Sequence, residues 1–146
     1  MKTDRYAFTL ISNEKYWKRL CECSKTGTAI HAFVRKNHVA PKTAEKLLFY
    51  VKKPVMQIRG TADFIERLTG PTAELWAEHG VETCFASFDE YCRFAQGRIE
   101  MTFVRFRNFR ELVNPKSTEI IRAILRTLQG FRGRYVNVET AEQLAS

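Results

Sequence analysis

Residues 47 to 80, LLFYVKKPVMQIRGTADFIERLTGPTAELWAEHG, constrain the fold of this chain more than any other stretch. Leu47 to Val51 is an apolar run suited to a buried strand, and Lys52, Lys53 and Pro54 make a basic turn. Val55 to Leu68 reads as a second strand, interrupted by Gly60. An in-line glycine marks a bulge or sharp bend, as the corner of a small barrel requires. A short helix follows, with Pro71 at its first position and Gly80 after its end, the usual asymmetry of helix termini. Two pairing strands with a glycine bend and cations at the turn point to a small β-barrel that handles nucleic acid.

Charge points the same way. Lys and Arg number 24 against 16 acidic residues, a formal net charge of +8. Such a balance favours a polyanionic partner, because each neutralised phosphate releases a condensed counterion. At 146 residues the chain is expected to be one domain, residues 1–146, large enough to bury a core without metals or disulfides. No run approaches the roughly 18 to 20 apolar residues of a membrane helix, and the opening MKTDRYAFTL lacks a signal-peptide core. A cytoplasmic protein without membrane contacts is therefore expected.

Along the rest of the chain, Tyr6 to Ile11 suits a first strand, and Ser12 can cap a helix with Glu14 in its first turn. Tyr16, Trp17, Leu20 and Cys21 mark the apolar face of that helix, while Lys15, Lys18 and Arg19 leave the remainder cationic. Ala29 to Val34 reads as a strand after the loop KTGT. Ser87-Phe88-Asp89-Glu90 is a capping box that opens a helix to about Gln96, ended by Gly97. Ile99 to Phe109 reads as a long strand with Met101, Phe103, Arg105 and Arg107 on one side and Thr102, Val104 and Phe106 on the other. Asn114-Pro115 is expected to break the chain, and Ser117 to cap a helix to Leu128 with Ile120, Ile121, Ile124 and Leu125 on its apolar face. Gly130 would end that helix before a short last strand in FRGRYVNV. The order is β-α-β-β-β-α-α-β-α-β, an α+β class with about six strands and four helices.

The cysteines, Cys21, Cys23, Cys84 and Cys92, lack the closely spaced pairs of a zinc module and are expected to be reduced, packed thiols. His31, His38 and His79 share no metal-ligand spacing, so neither metal nor cofactor is expected. The chain also has no Walker loop, GxGxxG or G-x-S-x-G.

Several stretches together resemble the PUA-like superfamily of pseudobarrels, which includes PUA, ASCH, EVE and YTH domains. FTLISNEKYWKRL is similar to their strand-then-helix opening, and LLFYVKKPVMQIRGTADF to their central strand pair. TGPTAELWAEHG resembles the Thr-Pro-x-Glu-Leu-Trp helix of ASCH-like chains, while SFDEYCRFAQG and MTFVRFRNFRELVNP resemble the helix and long strand that follow. GFRGRYVNVETAEQL is similar to the closing pattern of an uncharacterised archaeal PUA-like family. Where ASCH openings have Gly-Glu-Lys-Thr, this chain has Cys-Ser-Lys-Thr-Gly-Thr, and no aromatic cage of the EVE or YTH kind is evident. The resemblance implies a six-stranded pseudobarrel that binds RNA or single nucleotides in a cleft beside the first helix.

Two functions follow as expectations. The first is a module holding RNA or single-stranded nucleic acid, working as a monomer or weak dimer. Its candidate phosphate contacts are Lys15, Lys18, Arg19, Lys25, Arg35, Lys36, Lys52, Lys53, Arg59, Arg105, Arg107, Arg132 and Arg134. Tyr16, Trp17, Tyr50 and Tyr135 are candidates for stacking bases, although Trp17 and Trp76 also suit helix packing. The second is hydrolysis, which the ASCH resemblance implies through ribonucleases and amidohydrolases of acylated cytidine. Lys25, Thr26 or Thr28, and Glu66 would then supply base, hydroxyl and carboxylate. A third class, a partner interface on the Ser117–Leu128 helix, competes with that helix simply closing one end of the barrel.

Overall fold

The computed structural model describes residues 5–26, 29–36, 40–125 and 133–146. Six strands form one mixed sheet: β1 Ala7–Ser12, β2 Ile30–Arg35, β3 Lys46–Val51, β4 Gln57–Pro71, β5 Glu100–Ser117 and β6 Tyr135–Val136. Their order is β2-β5-β4-β3-β1-β6, with β1 and β3 parallel and the other pairs antiparallel. Five helices accompany it: α1 Glu14–Cys23, α2 Thr72–His79, α3 Phe88–Ala95, α4 Thr118–Leu125 and α5 Val138–Ala145. The class is α+β, as expected. The sheet is open, with β2 and β6 as its edges.

β4 and β5 are the spine, and both run further than their composition indicates. Asn114-Pro115 does not end β5, which continues to Ser117. The reason lies in the ladder. Ile58 faces Lys116 and Gly60 faces Glu111, so residues 112–115 oppose Arg59 alone. Proline's missing N–H falls in this irregular gap, where a ladder bond is not required. Gly60 marks the bend expected of it, since register shifts lie beside it in the β4–β5 pairing and between Phe49 and Tyr50 in β3. It serves a second purpose. A Cβ there would stand 2.4 Å from Trp17 Cη2 and 3.1 Å from the Arg110 carbonyl oxygen.

The helix ends refine the sequence reading. Asn13, not Ser12, caps α1, its side chain accepting from the Tyr16 N–H at 2.9 Å. Ser12 instead completes β1 and is buried. Pro71 closes β4 and stands just before α2. Gly80 does not end that helix in a left-handed turn: it stays right-handed and leads into a 3-10 turn, Gly80–Glu82, beneath the Trp76 ring. Ser87 caps α3 as the capping box requires, accepting from the Glu90 N–H at 3.2 Å, and α3 ends at the left-handed Gln96. In α4 the buried residue is Ile121, whereas Ile120 is 45% exposed. The expected continuation to Leu128 and Gly130 lies outside the described residues. α5 has no counterpart in the four expected helices. Asn137 caps it, and it buries Ala141 and Leu144.

Three groups of apolar side chains hold these layers together. Trp17 and Leu20 of α1 pack on Phe49, Val104 and Phe106. Ile121 of α4 and Leu144 of α5 pack on Leu48, Ile58 and Val136. Leu75 of α2 and Tyr91 of α3 pack on Met101 and Phe103. β5 is thus covered on both faces over residues 101–104, which explains its near-continuous apolar sequence there. Each large side chain withdrawn from water this way contributes about 1.5–3 kcal/mol.

Candidate functional site

Residues of β1, β2 and α1, although β1 and β2 are well separated in the strand order, face one space. A cavity of about 560 Å³ occupies this space. The C-terminal end of β1 supplies Ile11 and Ser12, and edge strand β2 supplies a run from Ala32 to Arg35, followed by Lys36. Its volume falls in the range of small-molecule sites, about 300–1,000 Å³. A shallower hollow of about 210 Å³, lined by Tyr50, Lys52, Lys53 and Met56, adjoins it through Lys52, which lines both.

One wall is aromatic. Tyr16 from α1, Phe85 from the loop after the 3-10 turn and Phe94 from α3 all line the cavity. Their ring centroids are 5.4–5.5 Å apart, with Tyr16 meeting the other two edge to face. Of these only Tyr16 is a sequence candidate. Phe85 and Phe94 come from separate elements, and nothing local distinguishes them from core phenylalanines.

The rim is cationic, but its members differ. Arg19 is bonded to Glu90, which also accepts from the Ala86 N–H at 2.8 Å. These bonds hold the Glu90 carboxyl below its ordinary range and raise the Arg19 guanidinium above its own. Lys36 donates to Gln96 Oε1 at 3.0 Å and sits 4.9 Å from the Phe94 ring centroid. Arg35 and Lys52 have no carboxylate partner among the described residues. Arg35 lies 5.8 Å from the Phe33 ring, and withdrawal from water alone pulls its guanidinium below the ordinary arginine value.

The other candidate cations lie elsewhere or are already engaged. Arg105 donates from Nε and Nη2 to both oxygens of Glu82 at 2.9 Å and from Nη1 to Glu66. These carboxylates raise its guanidinium well above the ordinary value. The arginine-bearing face of β5 is therefore not a bare cationic groove at this position. Arg107 is exposed further along β5, Arg59 is half-buried on β4, and Arg134 uses its backbone to bond Thr9. Lys15 and Lys18 are exposed on α1, Lys18 lying 3.7 Å from Glu14, and Lys25 and Lys53 are exposed in turns. Arg132, Thr28 and His38 lie outside the described residues.

Two stacking candidates are core residues instead. Trp17 is 4% exposed between Phe49 and Phe109, and Tyr50 is 9% exposed. Tyr135 carries the Arg5 guanidinium over its ring at 4.7 Å and meets the edge of Phe8. For hydrolysis, Thr26 donates to the Cys23 carbonyl at 2.7 Å, while Glu66 is bonded to Arg105. Neither of them lines the cavity, and Lys25 does not either. No hydrogen bond or ion pair joins Lys25 or Thr26 to Glu66 among the described residues.

Burial pushes the Cys21 thiol up to about 12 and also raises that of Cys84. Cys84 lines the cavity with its Sγ 3.9 Å from His31 Nδ1. Among the described residues no group of three or more His, Cys, Asp or Glu is placed to hold a metal ion. Likewise, no helix among them is long and apolar enough to cross a membrane.

His31 gives the fold a pH dependence of defined sign. It is 3% exposed, and desolvation lowers its pKa, opposed by the nearby Glu82 carboxylate. Above the ordinary histidine value of about 6.5 both folded and unfolded chains are neutral there. Below it the unfolded chain binds the proton first, so stability falls with pH until the depressed folded-state pKa is passed. Denaturant unfolding of His31→Gln should show a smaller loss between pH 7 and 5 than the parent. An equal loss would contradict this assignment.

No family model matches the chain, and no curated protein is significantly similar to it. Solved structures are. The ASCH protein of Zymomonas mobilis superposes with a TM-score of 0.73 at 19% identity, over 97% of this chain and 94% of that one. A single-residue variant of that protein gives 0.72 at 17% identity, over 97% of this chain and 96% of that one. Rpa0253 of Rhodopseudomonas palustris matches with a TM-score of 0.52 at 11% identity, over 96% and 90% of the two chains. The chain therefore shares the fold of the Zymomonas mobilis ASCH structures.

Proposed function

We propose that this protein binds single-stranded nucleic acid, RNA foremost, along the cavity beside α1, without acting on it chemically. The observation that carries this reading is the company Arg35, Lys36 and Lys52 keep. None of the three has a carboxylate partner among the described residues, and all line the same aromatic-walled cavity or its mouth. Lys52 extends the cationic path into the neighbouring hollow, where Lys53 continues it. Cations that follow a backbone beside rings that can meet bases are the recurring design for single strands. The net charge of +8 supplies long-range attraction to a polyanion.

Reversing the rim charge tests this. A Lys36→Glu, Lys52→Glu double variant should bind a fluorescein-labelled oligoribonucleotide about tenfold or more weakly at low salt. Lys52 is exposed and Lys36 half-exposed, so folding should be unaffected. Undiminished affinity would move the nucleic acid to another surface and defeat the cleft reading. The same incubations should leave the oligonucleotide and N4-acetylcytidine intact. Turnover abolished by Lys25→Ala would establish the hydrolytic alternative instead.

A further inference from the structure

Two thiols from distant parts of the chain meet at the edge of the cavity. Cys84 lines it from the segment after the 3-10 turn. Its side chain is in hydrogen-bond contact with that of Cys23, the last residue of α1. Both are half-buried. The pairing is selective. Cys21 stands two residues before Cys23, a spacing that turns its side chain about 200° away around the helix. There it bonds to the Glu111 carboxylate instead. Cys92 is exposed on α3.

Cys84 has a second neighbour suited to thiol chemistry. Its Sγ lies 3.9 Å from Nδ1 of His31. Desolvation lowers the pKa of that imidazole, so it is neutral above the ordinary histidine range. With its proton on Nε2, it accepts the thiol proton at Nδ1. Burial favours the protonated thiol at Cys84, which therefore needs such a base to become a nucleophile. Cys84 also holds φ at 66°, a left-handed backbone that only firm surroundings maintain at a residue other than glycine. Cys23, next to the exposed Glu22 at the end of α1, is the sulfur that a small oxidant from solvent meets.

We infer that Cys23 and Cys84 are a modification site, closed by a peroxide into a reversible disulfide that staples α1 to the cavity wall. The inference does not depend on the nucleic-acid reading. Hydrogen peroxide takes two electrons from the Cys23 sulfur, giving a sulfenic acid and one water. The Cys84 sulfur then attacks that sulfenic sulfur, and the S–S bond forms as the S–O bond breaks. The departing hydroxide takes up the Cys84 proton, passed through His31, and leaves as the second water. One peroxide is thus reduced to two waters as two thiols become one disulfide, and a thiol reductant reverses the change. The bond ties the helix that carries Tyr16, Arg19 and Leu20 to the segment that carries Phe85, so the oxidised cavity has less freedom to open.

Mass spectrometry of the full chain after mild hydrogen peroxide treatment tests the inference. The folded protein should lose about 2 Da, regained with dithiothreitol, and its digest should link the peptides holding Cys23 and Cys84. Two of the four thiols should remain titratable. The oxidised protein should melt about 4 °C or more above the reduced one. A Cys21→Ser, Cys92→Ser double variant should behave like the parent, whereas Cys23→Ser should form no internal disulfide. Cys84→Ser should stop at the sulfenic acid, captured at Cys23 by dimedone. His31→Gln should slow closure about tenfold or more, yet leave dimedone capture in the Cys84→Ser background unchanged. The inference is overturned if the folded parent accumulates oxidised Cys23 without closing, or if the bond joins other cysteines. Equal melting of oxidised and reduced protein, or closure at the parental rate in His31→Gln, also overturns it.

Discussion

Trp17→Ala should cost about 3–5 kcal/mol of folding stability, the largest loss expected from a single substitution here. The indole lies under α1 at 4% exposure, against Phe49 and Phe109, with its far edge over Gly60. Removing it leaves a cavity lined by rings that cannot all collapse inward. The converse change should also be costly. Gly60→Ala places a methyl group where Trp17 Cη2 and the Arg110 carbonyl already stand, and overpacking of this kind costs about 1–3 kcal/mol. Because both penalties arise from one contact, they should not add. Denaturant unfolding should show Gly60→Ala much less harmful in a Trp17→Leu background than in the parent. Additive losses would mean that Gly60 matters for the bend alone.

Arg105→Met should remove about 2–3 kcal/mol, less than the ~3–5 of a fully enclosed ion pair because Glu66 is 43% exposed. The main damage is at Glu82, whose side chain is 13% exposed and loses both of its bonds to the guanidinium. His79 Nδ1 stands 3.4 Å from the same carboxylate without a hydrogen bond to it. Adding Glu82→Gln should recover part of the loss, since the uncompensated charge is then gone. The consequence reaches the cavity. Glu82 ends the 3-10 turn from which Thr83, Cys84 and Phe85 pass into the wall, so its bonds to Arg105 pin that wall to β5. Arg105 is in this sense a positioning residue, and oligonucleotide affinity should fall in Arg105→Met while Arg105→Lys retains part of it. A stable variant with unchanged affinity would show that the wall does not need the pin.

The strands were legible because their inner halves are unusually apolar. AFTLIS, KLLFYV and MTFV announce buried β-structure by composition, and Gly60 announces its bend. The outer halves of β4 and β5, ERLTGP and RELVNPKS, are polar and are each sustained by the other strand's more apolar half, ERLTGP by residues 100–105 and RELVNPKS by residues 57–61. Pairing between distant segments leaves no local trace, so Asn114-Pro115 reads as a break that the ladder simply spans. α5 escaped because eight residues with two buried side chains make a weak pattern. For the site, residue type gave the cations but not their partners. Arg19 finds Glu90 from 71 positions away, and Arg105 finds Glu82 from 23. Only the fold separates those arginines from Arg35, and only the fold draws Phe85 and Phe94 beside Tyr16.

A salt titration of single-stranded RNA binding tests the central claim most directly. Each phosphate neutralised by the rim contributes about −0.7 to the slope of log affinity against log salt for a single strand. Engagement of roughly three to five phosphates by Arg35, Lys36, Lys52 and their neighbours predicts a slope of about −2 to −3.5. Binding at low salt that weakens along such a line would support the account. No binding at low salt, or an affinity indifferent to salt, would contradict it.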